Sequence, residues 1–129
     1  MLRTILAVLA GYGANAVLVA VTEQVLPKFM QGTSHLVTDM ITQCLYEVVA
    51  GYVCCLVSER PKRRLAVYVL IGLGLLIGTI SVVAYWNAEP YWYQIGLLFV
   101  WAPCVWIGYV LADRTTKDIP RLRTDDKSP

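Results

Sequence analysis

Four runs of apolar residues, each long enough to cross a lipid bilayer, constrain this chain more than anything else in it. A hydrocarbon layer about 30 Å thick needs about 20 mostly apolar residues in a helix. The runs cover about residues 4–26, 36–57, 65–86 and 91–112 and fill most of the 129 positions. Each is continuously apolar rather than alternating with period two, which selects helices over a barrel, because in lipid every backbone polar group must be satisfied internally. Composition agrees, with 57% hydrophobic and 16% charged residues, against about 45–50% and about 25% in soluble domains. Abundant Leu, Val and Ile exclude intrinsic disorder. A net charge of +2 provides no basic field for a nucleic acid.

The links are short and punctuated by Pro27, Pro61 and Pro90. Short links make sequential helices antiparallel neighbours. The expected fold class is all-α: a membrane-spanning up-down four-helix bundle over residues 1–112, followed by a polar cytoplasmic tail over 113–129. A secretory signal is the competing reading of the start, since Arg3 supplies a positive flank and Ala14-Asn15-Ala16 resembles a cleavage site. The apolar run continues through Val17–Val21, which favours a retained span.

Lys and Arg in short loops set the direction of insertion. Arg3, the 60–64 link and the tail hold ten basic residues on one side, and Lys28 alone lies on the other. Both termini are therefore expected in the cytoplasm. Tyr85, Trp86, Tyr91, Trp92 and Tyr93 cluster around the opposite turn, where an interfacial aromatic belt is expected.

Cysteine and histidine positions narrow the chemistry. Cys44, Cys54, Cys55 and Cys104 all lie inside spans and form no Cys-x-x-Cys pair, so thiol–disulfide exchange is not indicated. The single histidine, His35, sits in a link, which leaves no bundle imidazoles for haem and no ligand set for zinc. No cofactor and no metal site are expected. No nucleophile–base pair supports an enzyme.

Ionisable groups inside a bilayer are costly and call for a functional hypothesis. Three of the charged residues fall within the spans: Glu23, Asp39 and Glu47. Asp39, Gln43 and Glu47 recur four residues apart and share one helix face. Counted from the cytoplasmic ends, Asn15 and Glu47 lie at one depth, and Glu23 and Asp39 at another. Asn15, Glu23, Asp39, Gln43 and Glu47 thus form either a polar seam joining the first two helices, with Asn15 donating to Glu47, or a polar path ending near Glu47. Gly11 on the first span, and Gly74 and Gly78 on the third, are candidate helix-packing positions, since small residues let helix backbones approach. Two short echoes recur: Ala10-Gly11-Tyr12 as Ala50-Gly51-Tyr52, and Gly-Tyr-Val at 51–53 and 108–110.

Ala50-Gly51-Tyr52 running into Glu59-Arg60-Pro61-Lys62-Arg63-Arg64, then the glycine-rich third span and Pro90-Tyr91-Trp92-Tyr93, resembles small four-helix bacterial integral membrane proteins of uncharacterised function. The resemblance implies the fold and a bacterial inner-membrane location, and no activity. Size and span number also invite comparison with small multidrug transporters, whose essential Glu lies in the first span and whose loops show little charge bias. Here the deep Glu is Glu47 in the second span, and the bias is ten to one. The expected function is that of a small integral membrane protein acting as a structural or accessory subunit. Its partners would be the lipid bilayer and either a second copy of the chain or another membrane protein. The alternative is a small transporter or channel with a proton- or cation-linked carboxylate at Glu47.

Overall fold

The structure is a computed structural model that describes residues 1–25, Lys28 and residues 32–124, with side chains placed through Asp118. It contains four α-helices: α1 (Leu2–Val25), α2 (Thr33–Val57), α3 (Arg63–Ala84) and α4 (Tyr91–Thr124), with a 3-10 turn at Arg60–Lys62. All four contain a stretch long and apolar enough to cross a membrane. The expected all-α four-helix architecture is the one observed, and among the described residues there is no strand. Large apolar side chains such as Leu9, Val17, Leu45, Leu76, Ile80 and Phe99 face outward, as lipid-facing positions do. These features are compatible with a small multi-pass membrane protein.

Helix α2 is the centre of the bundle. It packs most extensively on α4, then on α1, while α3 makes thinner contacts with α4, α1 and α2. The sequential pairs α1–α2 and α3–α4 are neighbours, as short links require. The pair α2–α3 is not the main contact, and the two parallel helices α2 and α4 form the tightest one. The reason lies in two glycines. A Cβ placed on Gly51 would run into the Val105 carbonyl, and a Cβ on Gly108 would run into the Val48 carbonyl. Only hydrogen at these reciprocal points allows the backbones to meet. Both glycines open the Gly-Tyr-Val echo seen in the sequence.

The packing is uneven along the bundle axis. The fully buried residues Ala7, Ala50, Cys54, Cys55, Ala66, Val67, Leu70, Val105 and Ala112 all lie in the half toward the 60–64 link, the basic end. That end is also tied by ion pairs: Arg63 Nη1 lies 3.5 Å from Asp113 Oδ1, Lys117 Nζ 2.6 Å from Asp113 Oδ2, and Arg3 3.7 Å from Glu59. The Arg64 Nε–H donates to the Tyr109 hydroxyl at 3.4 Å.

The first part of the segment expected as a polar tail is helical. α4 continues through Thr124, so it is about 51 Å long, some 20 Å more than the hydrocarbon requires. Asp113 and Lys117, one turn apart, stabilise the extension. The Thr115 and Thr116 hydroxyls donate back to the Leu111 and Ala112 carbonyls. Residues 125–129 lie outside the described residues, as do residues 26, 27 and 29–31 around the first link. Helix α2 begins at Thr33, directly after Gly32, whose φ of 82° supplies the left-handed turn that starts the helix.

Candidate functional site

The half of the bundle away from the basic end does not close. A cavity of about 540 Å³ lies among the four helices, from Tyr12, Asn15, Glu47, Gly74 and Trp101 at its inner end to Glu23, Tyr85, Ala88 and Glu89 at its mouth. Tyr12 and Glu23 are eleven residues apart on α1, so the cavity runs about 16 Å along that helix. Its volume falls in the range of small-molecule sites. Beyond its inner end begins the tightly packed half, so the cavity is blind.

Helix α1 contributes Asn15 and Glu23, α2 contributes Gln43 and Glu47, α3 contributes Gly74, Gly78 and Ser81, and α4 contributes Gln94 and Trp101. The register of α1 on α2 sets the depths. Gly11 sits against Ala50 and Cys54, because a Cβ there would lie 2.7 Å from the Ala50 carbonyl oxygen and 3.0 Å from Cys54 Cβ. Antiparallel counting from that contact brings Asn15 level with Glu47, as expected from the sequence. Gly74 and Gly78 face α4, against Trp101 and Leu98 respectively, so both act inside the bundle.

Four of the five polar positions singled out in the sequence, Asn15, Glu23, Gln43 and Glu47, line this one cavity. Asp39 does not line it, because it accepts a hydrogen bond from the Tyr93 hydroxyl. That contact revises the aromatic belt. Tyr85, Trp86, Tyr91 and Trp92 are exposed, but Tyr93 is only 5% exposed and turns inward to Asp39. The Asn15–Glu47 hydrogen bond is not formed. Asn15 Oδ1 and Glu47 Oε2 are both buried without a partner. Thr22 and Tyr46 form a side-chain hydrogen bond between α1 and α2.

Glu89, Gln94 and Trp101 were not among the residues singled out in the sequence. Glu89 stands in the α3–α4 link, close enough to Asp39 and Glu23 to feel both charges. Partial burial first, and then those two carboxylates, raise its carboxyl above the ordinary range, with His35 opposing. Gln94 is 6% exposed, and its amide N–H donates to the Tyr85 carbonyl at 2.9 Å, leaving Gln94 Oε1 buried and unpartnered.

Among the lining residues are three carboxylates, Glu23, Glu47 and Glu89, and no Lys, Arg or His. A chamber with acidic walls and no internal counter-charge concentrates positive charge. Among the described residues, no group of three His, Cys, Asp or Glu side chains is placed to hold a metal ion. Comparison with protein-family models, curated proteins and solved structures finds no match to this chain.

Proposed function

We propose that this chain is a small membrane transporter or channel whose cavity takes up a proton or a small cation and holds it at Glu47. The observation that carries the reading is the cavity itself, which leads to Glu47, a carboxylate 3% exposed, and has no Lys, Arg or His among its described lining residues. A carboxylate buried in this way needs either a proton or a positive partner, since an unpaired buried charge is expensive. Glu23 and Glu89 at the mouth supply the attraction that brings a cation in. The ten-to-one distribution of basic residues supports an orientation with both termini in the cytoplasm and the cavity mouth on the far side. The resemblance noted in the sequence supports a bacterial inner membrane.

The accessory-subunit reading rests on the apolar outer faces, which any lipid-embedded bundle presents. It leaves the unpartnered polar interior without a role. The test is flux through the purified chain in proteoliposomes, driven by a proton gradient and, separately, by a gradient of an organic ammonium. The parent protein passes the cation, and Glu47→Gln abolishes passage with yield and helix content unchanged. Flux retained in Glu47→Gln removes Glu47 from the path. No flux in the parent protein under either gradient returns the chain to the accessory role.

A further inference from the structure

We propose that the basic end of the bundle binds the headgroup of an anionic phospholipid, in a site built on the outer α3–α4 face from Arg64 and the rings of Tyr68, Trp106 and Tyr109. The site lies at the opposite end from the cavity mouth and does not depend on what the cavity takes up.

The register of two antiparallel helices brings these residues together. Gly74 rests against Trp101 and Gly78 against Leu98. Counting back from those contacts sets Tyr68 beside the Trp106–Tyr109 turn and Arg64 one turn nearer the basic end. The ring centroids of Tyr68 and Trp106 are 5.7 Å apart, and those of Trp106 and Tyr109 are 5.1 Å apart. The Arg64 Nε–H donates to the Tyr109 hydroxyl at 3.4 Å, which holds the guanidinium beside this aromatic row. Tyr68 is 58% and Trp106 36% exposed, and Arg64 is exposed, so the cluster faces out of the bundle.

Charge and depth select the occupant. The carboxylate of Asp113 is taken by Arg63 and Lys117, and that of Glu59 by Arg3. Among the described residues, Arg60, Lys62 and Arg64 pair with no carboxylate. Helix α3 has 22 residues, so it is about 33 Å long and just crosses the hydrocarbon. Its first turn therefore sits at headgroup level, and the rings lie one turn deeper, where Tyr and Trp favour the interface. Leu65 and Ile107, both exposed, meet acyl chain beside them. A guanidinium fork matches two oxygens of a phosphodiester. Phosphatidylcholine brings the same phosphate with a trimethylammonium that Arg60 and Lys62 repel, whereas phosphatidylglycerol brings no cation.

Tryptophan quenching by brominated lipids in nanodiscs tests this. The reporter chain carries Trp86→Phe and Trp92→Phe, which leaves Trp106 exposed and Trp101 buried. Brominated phosphatidylglycerol or brominated phosphatidylcholine is titrated into phosphatidylcholine discs. The anionic lipid is expected to occupy the Trp106 site about fivefold more tightly. Arg64→Gln is expected to remove that preference. Arg64→Lys keeps the charge but loses the fork and the bond to Tyr109, and is expected to lose most of it. Equal quenching by the two lipids overturns the proposal. An unchanged preference in Arg64→Lys shows diffuse surface attraction and overturns the built site. Loss of the preference on adding soluble glycerophosphate at fixed ionic strength assigns the site to a free phosphate ester and overturns the lipid assignment. The comparison of the two lipids on the reporter chain stands even if the Arg64 variants fail to fold.

Discussion

Replacing Gly11 by Ala tests the helix register that places Asn15 opposite Glu47. An added Cβ would lie 2.7 Å from the Ala50 carbonyl oxygen, 3.0 Å from Cys54 Cβ and 3.2 Å from Leu70 Cδ2. Ordinary van der Waals contact begins at 3.4 Å, so α1 must retreat from α2 by about 0.7 Å, and the obstacle is backbone that cannot rotate aside in a close-packed interior. Such overpacking costs about 1–3 kcal/mol. Alanine returns about 1 kcal/mol over glycine through helix propensity. Gly13, two residues along the same helix, provides the control, because a Cβ there meets nothing within 4 Å. Gly13→Ala therefore shows the propensity gain alone. The two variants are expected to differ by about 1–3 kcal/mol, with Gly11→Ala at or below the parent and Gly13→Ala at or above it. At about 2–8 °C per kcal/mol, thermal melts in detergent followed by tryptophan fluorescence resolve the difference. Equal midpoints for the two variants would refute the close α1–α2 approach and the depth assignments built on it.

Three further outcomes follow from the same structure. Arg63→Met removes the cation from a largely buried pair with Asp113, which lowers unfolding stability by about 1–3 kcal/mol, whereas Lys117→Met on the exposed side of the same carboxylate loses less than about 1 kcal/mol. Tyr93→Phe deprives Asp39 of its donor and costs about 1–3 kcal/mol in the same melts; a neutral result would place Asp39 in water instead. Glu89 holds its proton above the ordinary carboxylate range through partial burial and the Asp39 and Glu23 charges. A carboxyl raised in the fold contributes stability when protonated and loses it as pH rises through the raised value. Glu89→Gln is therefore expected to melt above the parent at neutral pH, with the gap closing as pH falls below the ordinary carboxylate range. Parallel pH profiles for the two proteins would show that Glu89 does not sense its neighbours.

The four helices were legible because the signal is chemical and long-range. A bilayer tolerates few polar residues over about 20 positions, so Pro27, the basic 60–64 link and Pro90 read as boundaries. The first two helices were also legible in depth, and Asn15, Glu23, Gln43 and Glu47 do meet in one cavity. Helix rotation was not legible. Tyr93 has the same composition signal as its exposed neighbours Tyr91 and Trp92, and only packing turns it toward Asp39. Gln94 and Trp101 are the same case, since single polar or aromatic positions carry no period that fixes which face they occupy. The continuation of α4 past Ala112 was hidden because its support is a single one-turn pair, Asp113 and Lys117, rather than an apolar stripe. Gly51 and Gly108 were marked by a repeated tripeptide, yet the reason for the repeat, a reciprocal backbone approach of α2 and α4, needs the third dimension.

One half of the bundle is open down to the level of Glu47, and the other half is sealed. Cysteine reactivity measures this most directly, in a chain lacking Cys44 and Cys104 but keeping the fully buried Cys54 and Cys55. With a charged, water-soluble thiosulfonate reagent in detergent solution, Gln43→Cys on the cavity wall is predicted to react, while Ala66→Cys in the packed half stays protected. Protection at both positions, or equal reaction at both, would mean that the two halves of the bundle do not differ in this way.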